Sequence, residues 1–170
     1  MEETIVNRVT QSGLITFDLE EYYPKGERVQ YDLKQNLFME LILKEKDFRE
    51  FLKTHDWEQY RGKYVGIVCT ADAIVPTWAY MLLAGHMSEV AEMVVFGNLD
   101  QLEIKIFEEI FRKINWEEFQ DQRIVVKGCS NASIPVEVYV ELTRILKPIA
   151  RSLMFGEPCS TVPLFKKKSN

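Results

Sequence analysis

Two stretches of this chain repeat one another. WEQYRGKYVGIVC begins at Trp57, and WEEFQDQRIVVKGC begins at Trp116. In each, Trp-Glu is followed by an aromatic residue (Tyr60, Phe119), a branched apolar run and a cysteine (Cys69, Cys129). A hydroxyl residue comes next (Thr70, Ser130), then isoleucine (Ile74, Ile134) and proline (Pro76, Pro135). Tyr80 and Tyr139, Leu83 and Leu142, and Ala91 and Ala150 continue the match, and both copies finish on Phe-Gly (Phe96-Gly97, Phe155-Gly156). Upstream, Phe48 and Glu50 correspond to Phe107 and Glu109. The offset is 59 residues, apart from an extra Gly128 before the second cysteine and a missing counterpart of Val75 after it. A long period present twice indicates a doubled supersecondary unit, since a solenoid needs at least three repeats. Two βα units selected for similar packing would also look alike.

Each unit opens with a helix. In KEKDFREFLKTHD, Phe48, Phe51 and Leu52 fall on one face; in the second copy Leu102, Ile106, Phe107, Ile110, Phe111 and Ile114 do the same. Asn98 with Gln101 three residues later is a capping-box signal. A strand follows, Tyr64 to Val68 or Ile124 to Lys127, apolar enough to be buried on both faces of a parallel sheet. Pro76 and Pro135 then suit the first turn of a second helix, where a missing N–H costs nothing. Val138, Tyr139, Leu142, Ile145 and Leu146 form its stripe in the second copy. Short strands close the units, Met93 to Phe96 and Leu153 to Phe155.

This order predicts an α/β fold, with a mainly parallel sheet covered by helices through right-handed crossovers. The expected organisation is one domain over 1–170. Within it, 1–43 is an N-terminal β extension, 44–100 and 101–159 are the two duplicated α-β-α-β units, and 160–170 is a tail. In the extension, GLITFDLEEYYPKGERVQYDL reads as strand, turn, strand, and FMELILK as a further strand candidate, with antiparallel pairing at an edge.

Composition narrows the function. A chain of 170 residues that is 46% apolar suffices for one substantial core. A net charge of −5 opposes nucleic acid and anionic membranes, and the Lys166-Lys167-Lys168 run reads as a solvated tail. No stretch approaches the ~20 apolar residues of a membrane span. The start, MEETIVNRVTQSG, lacks a secretion-signal layout. Three cysteines without close spacing suggest reduced thiols in a cytoplasmic protein.

Residues after the carboxyl ends of parallel strands gather on one rim, where open α/β sheets bind ligands. Cys69 and Cys129 belong there, and so does Cys159 in FGEPCS, which corresponds at the same offset to Asp100 in FGNLDQ. Three thiolates and a carboxylate form a donor set for zinc or an iron–sulfur cluster, although no CxxC is present. Cysteines packed as small hydrophobes are the plainer reading. Thr70, Ser130, Ser160 or Thr161 at helix starts would assist anion binding, and Trp78 would line a pocket. A thiol near a helix start has a lowered pKa and can act as a nucleophile, but His55 and His86 fall near helix ends, on the opposite rim. Asp18, Glu20 and Glu21 form an acidic cluster, read as solvated, and Trp57 and Trp116 as packing anchors.

The segments SGLITFDLEEYYPKGERV, LILKEKDFREFLKTHDW, CTADAIVPTWAYMLL and FGEPCSTVPLFKK resemble an uncharacterised bacterial family, domain of unknown function 2480, over nearly the full length. The resemblance implies a small soluble bacterial protein and no established activity, cofactor or catalytic residue. Three readings of function stand: a metal or iron–sulfur site on the cysteine rim, a small-molecule or anion pocket in the same place, and a non-catalytic interaction module, a homodimer with its cysteines merely packed.

Overall fold

The computed structural model describes residues 8–9, 13–128, 131–157 and 159–168. Along the chain run β1 (Arg8–Val9), β2 (Leu14–Phe17), α1 (Leu19–Tyr22), β3 (Arg28–Asp32), α2 (Glu45–Thr54), β4 (Tyr64–Val68), α3 (Thr77–Met87), β5 (Met93–Phe96), α4 (Leu99–Lys113), β6 (Arg123–Val126), α5 (Val136–Leu146), β7 (Ser152–Glu157) and β8 (Ser160–Lys166). The class is α/β, as the sequence indicates.

The strands form two sheets rather than the single one expected. One has the order β3-β4-β5, all parallel; the other has the order β1-β2-β6-β7-β8, parallel at β2-β6-β7 and antiparallel at both ends. The chain divides accordingly into two compact units, Lys25–Lys105 and, flanking it in sequence, Met1–Pro24 with Ile106–Asn170. The first is called here the inserted unit and the second the flanking unit.

Both units solve the same local problems in the same way. Before β4 a 3-10 turn at Trp57–Tyr60 is capped by Asp56, and before β6 one at Trp116–Phe119 is capped by Asn115. The Trp57 indole N–H donates to the Leu52 carbonyl at 3.0 Å, and that of Trp116 to Phe111 at 2.9 Å, closing the preceding helix end. The turn into each central strand needs a left-handed residue, supplied by Gly62 (φ 67°) and by Asp121 (φ 55°), a residue type that tolerates this region. Helices α3 and α5 return the chain so that Gly62 N–H reaches the Val90 carbonyl (2.9 Å) and Asp121 N–H reaches Ile149 (2.8 Å).

The apolar stripes bury as their spacing dictates. Phe48 and Leu52 of α2, Leu83 and Met87 of α3, Leu102 and Phe107 of α4, and Leu142 and Leu146 of α5 are all buried. Central strands β4 and β6 contribute Val65, Ile67, Ile124 and Val125. The capping box forms: Gln101 N–H donates to Asn98 Oδ1 (3.0 Å) and Asn98 N–H to Gln101 Oε1 (2.9 Å). Pro76 and Pro135 stand one place earlier than expected, as the cap residues before Thr77 and Val136.

Three expectations are corrected. Strands β2 and β3 do not form a hairpin; α1 lies between them, and each pairs in parallel with a central strand of a different sheet. FMELILK is not a strand: Phe38 bridges Ile42 around a tight turn in which Met39 and Glu40 have positive φ (51° and 60°). The tail is largely β8, which turns back along β7 and pairs Phe155 with Val162 and Leu153 with Phe165.

Candidate functional site

The rim of the inserted unit is built around Asp32. Its carboxylate caps the 3-10 turn at Leu33–Asn36, accepting from Lys34 N–H at 3.0 Å. It also accepts from Thr70 N–H (3.1 Å) and from the Thr70 hydroxyl (2.5 Å), tying the end of β3 to the loop after β4. Burial works to raise the Asp32 pKa, but the Thr70 and Lys34 hydrogen bonds and the Lys34 charge outweigh it and hold the group below its ordinary 3.8. Such a carboxyl contributes stability above its unfolded pKa, and that contribution is lost as pH falls through the depressed folded value. Thr70→Val is therefore expected to lower stability by about 1 kcal/mol at pH 7, the rim being too solvated for more. Urea midpoints of variant and wild type should converge only below about pH 3.8, the ordinary value. Equal midpoints at pH 7 would remove Thr70 from this role.

Beside Asp32 an open groove of about 580 Å³ is lined by Gln30, Lys34, Gln35, Leu37 and Met39. Cys69 is half-buried, with its thiol 3.9 Å from the Ala71 carbonyl. Tyr80 lies on the same rim: burial raises its pKa first, with the Cys69 and Asp32 charges adding to it. Its ring meets Phe96 edge-on at 5.3 Å.

The flanking unit places other groups at the matching position. Asp18 caps α1, accepting from Glu20 N–H at 2.9 Å, and takes an ion pair from Lys127 at 2.7 Å. The hydrogen bond and charge of Asp18 raise the Lys127 pKa, with Glu157 and Glu20 contributing. Glu20 accepts from the backbone N–H groups of Asn131 and of Ala132 (3.0 Å), fixing the loop that leads to α5. The cluster read as solvated is thus partly structural. Tyr139 meets Phe155 edge-on at 5.9 Å, repeating the Tyr80–Phe96 contact.

The proposed ligand set divides between these places. Cys69 follows β4 in one sheet, whereas Cys159 occupies the turn between β7 and β8 of the other. The shared rim was inferred from a single sheet, and the strands form two. Asp100 sits exposed in the first turn of α4. Cys129 and Ser130 lie outside the described residues. Among the described residues no group of three His, Cys, Asp or Glu side chains is arranged to hold a metal ion. Ser160 opens β8 as an exposed residue, and Thr70 is engaged by Asp32. Trp78 packs on Phe48 of α2 at 6.2 Å, with Arg49 over its ring at 5.8 Å.

The histidines join an aromatic cluster. His86 stacks on Trp57 at 4.8 Å, and His55 lies 4.6 Å from the Trp57 ring. Gln59 Nε2 donates to the Asp56 carbonyl, so the same amide nitrogen also donates to His55 Nε2 at 3.2 Å. That nitrogen is therefore the acceptor of a neutral ring, in keeping with a His55 pKa lowered by burial against the opposing Asp56 charge.

One surface stands apart. Helix α3, TWAYMLLAGHM, contains no Asp, Glu, Lys or Arg, and its outward stripe is Thr77, Met81 and Gly85. Met81 is 69% exposed, and a Cβ added at Gly85 would meet nothing within 4 Å. At the 59-residue offset the outward stripe of α5 is Val136, Val140 and Arg144, and α5 has Glu137 where α3 has Trp78 and Glu141 where α3 has Leu82. Glu141 and Arg144 pair on the α5 surface. Sequence reading overlooked this contrast, although aligning the two helices reveals it.

The family model described as "Protein of unknown function (DUF2480)" matches residues 3–167. The chain belongs to the DUF2480 family. No curated protein and no solved structure matches it. Membership in DUF2480 brings no residue roles, so functional argument rests on the surfaces above. Among the described residues, no helix is long and apolar enough to cross a membrane.

Proposed function

We propose that this DUF2480 protein is a non-catalytic module that associates with a second copy of itself through α3. The observation that carries the reading is the outward face of α3, which bears no charged residue, whereas the exposed face of α5 places Glu137 and Arg144 beside Val136 and Val140. A helix that is apolar all round belongs in an interior. An exposed mid-helix glycine costs roughly 1 kcal/mol relative to alanine, and Gly85 has no neighbour within its own unit to require it. Close approach of a second helix gives it a reason. Two copies each carrying −5 repel one another, so they meet most favourably where neither presents charge. We also take the two units as descendants of one duplicated segment, supported by the matching turns, caps and aromatic contacts. In that case α5 keeps charged groups, Glu137, Glu141 and Arg144, on its surface, and α3 has lost them.

Sedimentation velocity of the 19.9 kDa chain should give the mass of a dimer. Met81→Lys should weaken association at least ~10-fold, about 1.4 kcal/mol, while leaving the circular dichroism unchanged. Val140→Lys, at the matching place on α5, should leave the mass unaltered. A wild-type chain that remains monomeric at high concentration would end this reading.

A further inference from the structure

The two units differ at one sheet edge. In the flanking unit β8 covers the outer edge of β7, and Phe155 beneath Val162 is 36% exposed. In the inserted unit the matching strand β5 has no such cover among the described residues, and Phe96 is 72% exposed. After Gly156 the chain forms a hairpin; after Gly97 it enters α4 and leaves the edge bare.

Hydrogen-bond parity identifies the groups on that edge. Gly97 N–H donates to the Ile67 carbonyl at 2.9 Å. In a parallel ladder, alternate residues face the neighbouring strand, so Met93, Val95 and Gly97 face β4. Val94 and Phe96 therefore turn N–H and C=O outward. Their counterparts at the 59-residue offset, Leu153 and Phe155, are those that pair with Phe165 and Val162 of β8.

The strand MVVF carries no charge, proline or bulge, the usual devices that keep an exposed edge from pairing. It is also self-complementary. Antiparallel pairing centred on Val95 sets Val94 of one copy against Phe96 of the other, twice, and satisfies every outward group. The same register sets Glu92 against Asn98 of the second copy, so the two Glu92 carboxylates do not face each other. Area requires such an extension. The α3 face is about 16 Å long and 10 Å wide, a footprint of roughly 160 Å². Stable interfaces bury about 800 Å² per partner. Tyr80 of α3 touches Phe96, so the helix face and the strand edge form one surface.

We propose that β5 pairs antiparallel with β5 of a second copy, joining two three-stranded sheets into one six-stranded sheet. This rests on the self-association reading and names the contact that closes it. An isologous twofold contact of this kind stops at two copies.

Amide hydrogen exchange read by NMR on the full-length chain tests it. The Val94 and Phe96 amides should exchange slowly, with protection rising at least tenfold as concentration takes the chain from monomer to dimer. Val94→Pro removes only an outward N–H, which an edge strand tolerates, and should give a folded monomer. A dimer whose Val94 and Phe96 amides exchange freely at every concentration would overturn the strand pairing and leave association through α3 standing. A chain that is monomeric throughout would overturn both. If Val94→Pro does not fold, the wild-type exchange rates still decide.

Discussion

Phe17→Ala is expected to destabilise the flanking unit by about 3–5 kcal/mol. Phe17 ends β2, is 1% exposed, and lies against Tyr22 (5.0 Å), Trp116 (5.9 Å) and Phe119 (5.4 Å). Truncation removes its own buried surface and leaves three rigid rings around a void that they cannot readily close. The rings are held from outside the void: Trp116 by its indole bond to Phe111, and Phe119 by the 3-10 turn capped at Asn115. A domain's whole stability is on the order of 5–15 kcal/mol, so the variant should lie near the edge of folding. Guanidinium unfolding followed by tryptophan fluorescence measures the change. A shift below about 1 kcal/mol would mean that the ring cluster packs loosely.

Gly66→Ala comes next. Gly66 is the middle residue of β4, and a Cβ there would stand 2.5 Å from the Gly97 carbonyl oxygen and 3.4 Å from that of Asn98. Both obstacles are backbone, so no side chain can swing aside. The turn itself must move, and it holds the Asn98–Gln101 capping box that starts α4. Overpacking of this kind costs about 1–3 kcal/mol and occasionally more. The flanking unit is the control within the same molecule: Val125, at the matching place in β6, is fully buried. There β7 continues through Gly156 to Glu157 before the hairpin into β8, whereas β5 stops at Phe96 and the chain enters α4. Thermal unfolding of Gly66→Ala and Val125→Ala should show the contrast. Adding a methyl at 66 harms by intrusion, and removing two at 125 harms by vacancy. A neutral Gly66→Ala would show that the β5–α4 turn yields easily.

The helices were legible because their information is local. Phe48 and Leu52, or Leu142 and Leu146, recur at helical spacing, and the Asn98–Gln101 signal lies within four residues. The same holds for β4 and β6, whose apolar runs declare burial on both faces. Pairing across long separations was not legible. Nothing in GLITF or RVQYD states that β2 joins β6 while β3 joins β4, and periodicity carries no information on which sheet a strand enters. The cysteine rim was argued from one sheet, whereas Cys69 follows a strand of one sheet and Cys159 a strand of the other. Strand β8 was missed because Pro163 and the lysine run suggest a tail; in a bulged edge strand, proline sits opposite Met154 without cost. Asp32 was overlooked because its partner Thr70 is 38 residues away.

The insertion of one unit within the other also orders events on the ribosome. Strands β3 and β4 pair Arg28 with Tyr64, so the inserted unit has its whole sheet once β5 has emerged. Asp18 must wait for Lys127, 109 residues downstream, and β7 and β8 come later still. Closing so long a loop is slow when the contact that rewards it comes last. During synthesis the nascent chain therefore carries a finished middle while β2, with only β1 beside it, still awaits β6, the interval in which a chaperone has most to protect.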